Sequence, residues 1–257
     1  MEKVRVVIPI YKQLDDLEII SVKRCFEVLD KYPITFIGPE NFDFAQLKRI
    51  ASIYRIDPTF KYYAKSFFKD IHGYNKLMLS PHFYKSFIKN EYILIYQTDS
   101  FVFKDDLAFW CSLGYDYIGA PWPFDVYDWV KGGSYPKIVK KYYKIRGAQH
   151  VSTVGNGGLS LRKTRSLLNN LSFLRRWVDN WVYNEDMFIS HCIKPINPFF
   201  KIPSPKIAMK FSFDIAPSLY YKLNDQQLPF GCHGWFRDDE DYSGNKQFYS
   251  SIIESFH

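Results

Sequence analysis

The stretch VRVVIPIYKQLDDLEIISVKRCFEVLDKYPITFIGP, residues 4–39, decides the fold class. Residues 4–10 form an apolar, β-branched run broken only by Arg5 and closed by Pro9, which predicts a strand covered on both faces. Asp15 then stands three residues before Glu18 in a capping-box arrangement, and Ile19, Val22, Phe26 and Leu29 recur at helical spacing up to Lys31. Ile34-Thr35-Phe36-Ile37 follows as a short second strand ending in the turn signal Gly38-Pro39. Strand, helix, strand at this spacing is a βαβ unit, so the predicted fold class is α/β with a mostly parallel sheet flanked by helices.

Working outward, residues 42–88 read as mostly helical, interrupted at Pro58 and Pro81. Tyr92-Ile93-Leu94-Ile95-Tyr96 is a fully apolar run, predicted to be a central strand, and it ends in Gln97-Thr98-Asp99-Ser100. Open α/β sheets place their ligands at such carboxyl ends. A helix is expected after Asp105 and Asp106, ending before Gly114, and a further strand over residues 115–120 runs into Pro121-Trp122-Pro123. Gly155-Asn156-Gly157-Gly158 reads as a tight turn before a helix over residues 161–171. Asn184-Glu185-Asp186 opens another helix through Cys192, and residues 229–235 form a turn carrying Cys232 and His233.

A chain of 257 residues with 47% hydrophobic and 24% charged side chains, 13 Gly and 14 Pro is an ordinary globular composition, which excludes disorder, collagen and coiled coil. One core is expected. The four cysteines show no CxxC pairing, as in a reducing compartment, and no residues read as a secretory leader or membrane span, so the expected location is the cytoplasm. The formal charge of +7 is unevenly spread. Residues 129–178 hold eleven basic residues and no acidic one, leaving 23 basic against 27 acidic elsewhere. That segment is compatible with an anionic membrane, a phosphate-bearing ligand or nucleic acid, although no nucleic-acid motif accompanies it. Between Lys137 and Lys144, Ile138, Val139, Tyr142 and Tyr143 interleave with lysines, a pattern for either an interfacial helix or a basic lid. Aromatic residues make up 19% of the chain, an excess that serves core packing or sugar stacking equally well.

The individual residues each admit two uses. Asp99 at a strand end can hold a divalent cation or cap the next turn. Glu185 and Asp186 offer a general base or compensation of a helix dipole. Gly157 and Gly158 either let the backbone approach a ligand or make a plain turn. His233, between two glycines, is a metal ligand or a structural imidazole. Lys76 is a phosphate contact or a solvated helix lysine.

The ordered set VVIPIYK, YILIYQTDS, YIGAPW, VGNGGLSL, NEDMF and PFGCHGW resembles a bacterial glycosyltransferase-like family long filed as a domain of unknown function, and more broadly the GT-A fold of nucleotide-sugar glycosyltransferases. The resemblance covers nearly the whole chain and implies one GT-A-like domain over residues 1–257, with residues 1–120 the nucleotide-sugar-binding half and residues 121–257 the acceptor-binding and catalytic half. It implies an inverting transfer from a nucleoside diphosphate sugar, with UDP the expected nucleotide, to a hydroxyl of a cell-surface polysaccharide or lipid-linked glycan. Gln97-Thr98-Asp99 matches the family's DxD motif with Gln in the first place, so Asp99 and His233 are the implied ligands of Mn²⁺ or Mg²⁺. Asp186, with Glu185 beside it, matches the xED motif as the base. Pro9, Tyr11, Lys12, Gly38, Lys76, Gln97, Thr98, Gly157 and Gly158 are the expected donor contacts, and Trp122 and Trp235 the acceptor contacts. A sugar-nucleotidyltransferase is the rival enzyme class, but it would carry a glycine-rich basic loop after the first strand, and VVIPIYKQLDD has no glycine. A basic module binding anionic membrane or nucleic acid is the rival without catalysis.

Overall fold

The computed structural model describes residues 2–256. Its main sheet contains β1 (Glu2–Pro9), β2 (Ile34–Pro39), β3 (Thr59–Tyr63), β4 (Asn90–Tyr96), β6 (Tyr117–Ile118) and β7 (Leu159–Lys163). A small second sheet contains β5 (Phe101–Val102), β8 (Ser212–Phe213) and β9 (Gly231–Cys232). The helices that matter for the site are α1 (Asp16–Val28), α3 (Ile71–Met78), α10 (Glu185–Cys192) and α13 (Asn245–Glu254). Strand order in the main sheet is β3-β2-β1-β4-β7-β6. The first four strands are parallel, and β7 is antiparallel to both β4 and β6. The expected α/β sheet flanked by helices is present, with an antiparallel end.

Period-two alternation sorts the central strands onto two faces. Val4, Val6 and Ile8 of β1 with Tyr92, Leu94 and Tyr96 of β4 pack under Val22, Cys25 and Phe26 of α1. Val7, Ile93 and Ile95 point the other way, toward Leu77 and Met78 of α3 and Phe188 and Ile189 of α10. Burial of each such aliphatic side chain stabilises by about 1.5–3 kcal/mol. The α1 start is the expected capping box, Asp15 accepting from the Glu18 amide and Glu18 from that of Asp15. All four cysteines are free and buried. Much of the aromatic excess is core: Tyr84, Tyr92, Tyr96, Tyr117, Tyr143 and Tyr249 are all fully enclosed.

Two expectations need correcting. Residues 42–88 are largely helical, as expected, over Ala45–Ile53, Lys65–Phe68, Ile71–Met78 and Pro81–Lys85, but Thr59–Tyr63 after Pro58 forms the unforeseen edge strand β3 beside β2. Residues 159–163, partly assigned to a helix, form strand β7, and the helix that follows, α8, spans Thr164–Phe173. The cause is Arg162, which breaks the apolar pattern but is completely buried and faces Glu185.

Candidate active site

The carboxyl end of β4 and the start of β7 meet because the two strands run antiparallel. The Gln97 amide donates to the Gly158 carbonyl at 2.9 Å, and the Ser100 hydroxyl donates to the same carbonyl at 3.2 Å. Thr98 is held from below by Glu18, its hydroxyl donating to Oε1 at 2.7 Å. Above this seam lies His233, just after β9. Its Nε2 is 3.1 Å from Asp99 Oδ1 and 3.0 Å from Gln97 Oε1, and its Nδ1 is 2.9 Å from Asp214 Oδ1. Asp214 follows β8, so the second sheet fixes both members of that pair.

These charges perturb one another. Burial pushes the Asp99 carboxyl up, but the neighbouring His233 outweighs it and holds Asp99 below the usual carboxylate range. Burial pushes His233 down, but the two carboxylates outweigh it and raise the imidazole to about 10. With an oxygen facing each ring nitrogen, the surroundings favour the protonated ring.

A cleft of about 490 Å³ opens beside this cluster, and it brings together Pro9, Tyr11, Lys12, Gln97, Thr98 and Asp99 from the expected donor set. It is completed by residues the sequence did not single out, including Lys69, Tyr74 and Arg237. Lys12 Nζ is held 2.9 Å from Glu18 and 3.2 Å from Asp15, whereas Arg237 lies 3.8 Å over the Tyr242 ring and pairs with Asp239.

On the other side of the glycine pair lie the two carboxylates of α10. Asp186 accepts from the Asn156 amide at 2.9 Å through Oδ2 and from the Met187 amide at 2.7 Å through Oδ1. Burial first, and the Glu185 charge second, raise its carboxyl to about 7. Glu185 instead bonds the Arg162 guanidinium at 2.9 Å, and Arg162 also donates to Tyr84, Ser160 and the Gly157 carbonyl. The two glycines are sites of close approach. A Cβ on Gly157 would meet Glu185 Oε1 at 2.0 Å, and one on Gly158 would meet the His233 ring at 2.1 Å. Asn156, in left-handed backbone, accepts from the Gly158 amide, while its Nδ2 is buried with no partner among the described residues.

Four expected site residues sit elsewhere or are otherwise engaged. Trp235 is core rather than an acceptor platform: it is 6% exposed, packs edge-on to Phe101 and donates to the Ser21 hydroxyl at 2.7 Å. Lys76 is exposed on α3 and outside the cleft, while the preceding Asn75 bonds Asn184 at 3.1 Å. Gly38 packs against Phe44 and the Ile10 carbonyl, also outside the cleft. Glu185, offered as a catalytic partner, is the counter-ion of Arg162. Trp122 is half-buried against Gly155, stacked with Phe124. Asp214 and Arg162 were missed because a lone acid and a lone base in apolar surroundings carry no local pattern.

Among the described residues no three His, Cys, Asp or Glu side chains gather into a metal cage. The donor atoms that do converge are one carboxylate, one imidazole and one amide oxygen. Asp214 orients the imidazole from behind, as carboxylates commonly do for metal-binding histidines.

A family model described as "Protein of unknown function (DUF5672)" matches residues 57–233. No curated protein matches the chain in sequence. Solved structures do. The chain is similar to the galactosyltransferase LgtC in complex with donor and acceptor sugar analogs, at 14% identity and TM-score 0.55 over 98% of this chain and 95% of that one. It is similar to mouse xyloside xylosyltransferase 1 in its apo form, at 11% identity and TM-score 0.51 over 90% and 97%. The bifunctional glycosyltransferase WbbM, apo, matches at 12% identity and TM-score 0.59 over 99% of this chain and 51% of its own. At these identities the likeness shows the fold, which is of the GT-A type.

Proposed function

The chain belongs to the family described as "Protein of unknown function (DUF5672)", and from its GT-A fold and the site at its centre we propose an inverting, metal-assisted glycosyltransferase. The donor is a nucleoside diphosphate sugar, with UDP the nucleotide, and the acceptor is a hydroxyl of a cell-surface polysaccharide or lipid-linked glycan. Residues 1–120 form the nucleotide-sugar-binding half and residues 121–257 the acceptor-binding and catalytic half, which also lends Gly157, Gly158, His233 and Arg237 to the donor side. The observation that carries this reading is the convergence of Asp99, His233 and Gln97 beside a cleft, with Asp186 across the glycine pair.

In this reading Tyr11 contacts the nucleotide, and Lys69 and Arg237 face its diphosphate from the cleft wall. Asp99, His233 Nε2 and Gln97 Oε1 are the atoms that would hold Mn²⁺ or Mg²⁺. When bound, such a cation neutralises charge on the departing diphosphate. His233 must then lose its Nε2 proton, and Asp214 retains the one on Nδ1. Gly157 and Gly158 let the sugar lie close to the backbone. Asp186 takes the proton of the acceptor hydroxyl on a free lone pair of one of its carboxylate oxygens, as that hydroxyl attacks the anomeric carbon opposite the leaving group. A carboxyl raised to about 7 matches its proton affinity to neutral operating pH. Asn156 Nδ2 supplies an unused donor at the sugar, and Trp122 a wall for the acceptor.

The test is a screen of nucleotide sugars with and without Mn²⁺, followed by nucleotide release and by the anomeric configuration of the product. Metal-dependent release with inversion supports the reading. Retention of configuration overturns the inverting assignment, and absence of release from every donor overturns transfer itself.

A further inference from the structure

The charge of residues 129–178 is spread around a face that the transfer reading does not use. Helix α7 (Lys137–Arg146) buries Val139 and Tyr143 and turns Lys137, Lys141 and Lys144 outward at i, i+4 and i+7. Beside these lysines the same helix exposes Ile138 (52%) and Ile145 (72%), and Trp129 (49%) stands out from the preceding helix α6 (Tyr127–Gly132). Opposite the start of α7, Arg176 and Trp177 of α9 (Arg175–Val178) join Lys137 and Ile138 around an open cavity of about 490 Å³.

Within the free protein this arrangement is unfavourable. Like charges at i, i+4 destabilise a helix, and the first turn of α7 has no acidic residue to meet its dipole. Neither Lys137, Lys141, Lys144 nor Arg176 forms an ion pair among the described residues. Exposed isoleucines add an apolar cost. A planar anionic surface with an apolar layer beneath it relieves both at once: lysines reach the phosphates while isoleucine and tryptophan enter the acyl boundary. We infer that α7, with Trp129, Arg176 and Trp177 around it, is a docking face for an anionic phospholipid bilayer. A nucleic acid would satisfy the lysines and leave Ile138 and Ile145 in water.

The inference takes the interfacial-helix alternative of the two that the sequence left open for this segment, and vesicle binding needs neither donor nor acceptor, so its failure is separable from failure of the transfer reading. The full chain is sedimented with phosphatidylcholine vesicles with and without phosphatidylglycerol, at low and high salt. It should pellet only with the anionic vesicles and be released by salt. Lys137→Gln/Lys141→Gln/Lys144→Gln should weaken binding about a hundredfold. Ile138→Ser/Ile145→Ser should weaken it at high salt more than at low. A control, Lys61→Gln/Lys85→Gln/Lys89→Gln, removes the same charge around another cavity and should bind as the unmodified chain does. All substitutions in α7 lie on exposed positions, so melting temperature should hold or rise. No pelleting with anionic vesicles, equal loss in the control, or tighter binding to polyuridylate than to vesicles at the same salt overturns the inference.

Discussion

Replacing Glu185 by Gln keeps the shape of the side chain and removes the carboxylate paired with Arg162, a guanidinium with no solvent exposure. Three hydrogen bonds from Arg162, to Ser160, Tyr84 and the Gly157 carbonyl, remain, but none of those partners carries a charge. Breaking a buried pair from one side costs about 3–5 kcal/mol. That is a large part of the roughly 5–15 kcal/mol by which a domain is stable. At about 2–4 °C per kcal/mol for a chain of this size, the melting temperature should fall by roughly 6–20 °C. Removing both charges with Arg162→Met/Glu185→Leu should recover most of that loss, because apolar residues of similar volume replace a buried pair at little cost. A second readout follows from Asp186. Glu185 is among the causes raising its carboxyl to about 7, so the acid limb of the activity profile should move to lower pH in Glu185→Gln. The assay is a thermal melt of the three proteins plus a pH profile of donor turnover. A melting temperature for Glu185→Gln within about 2 °C of the unmodified chain, or a double variant less stable than Glu185→Gln, would show that the pair does not hold the α10 start to β7.

Other outcomes are expected. Asp186→Asn should keep donor affinity and lose about 10²–10⁴ in turnover. In the unmodified protein turnover should rise with pH through about 7, because the base acts only when ionised and its carboxyl lies above the ordinary range. Equal turnover in Asp186→Asn, or a profile flat across neutral pH, sinks the base assignment. Gly158→Ala places a methyl 2.1 Å from the His233 ring, so the ring must turn away from Asp99 and Mn²⁺-dependent donor binding should drop at least about tenfold, one missing good contact's worth. Calorimetry showing unchanged affinity would place His233 outside the donor site. Trp235→Phe loses the bond to Ser21 and should cost about 1 kcal/mol of stability with the acceptor KM unchanged, whereas a raised KM at unchanged stability would restore Trp235 to the acceptor surface.

The βαβ start was legible because local signals agreed. Apolar runs marked β1 and β2, and Asp15 and Glu18 marked the beginning of α1. The edge strand β3 was not, since Thr-Phe-Lys-Tyr-Tyr lies between helical patterns and its residues are mostly half-exposed. Strand β7 was misread for a different reason: the charge of Arg162 looks like a surface position until Glu185, 23 residues away, is known to neutralise it. Gln97, Asp99, Gly158 and His233 could be found from their order along the chain. Their orientation could not, because Asp214 and the second sheet supply it. Trp235 shows the limit of residue type as a guide. An indole beside a site histidine suits stacking on a sugar, but a hydroxyl on α1 claims its N–H and the core claims its faces.

The seam between Gln97 and Gly158 also bears on how such a chain diversifies. Ser100 and Gly158 touch although they stand 58 positions apart. Within that interval β5 and β6 are tied to β9 and β7, but the segment between β6 and β7 leaves and re-enters neighbouring strands of one ladder. The length of that segment can change at little cost, since loop closure grows costlier only slowly with length. Trp122, α6 and α7 all lie within it. The proposed acceptor wall and docking face would thus be exchanged as one cassette, while Gln97, Asp99 and the glycine pair keep their register.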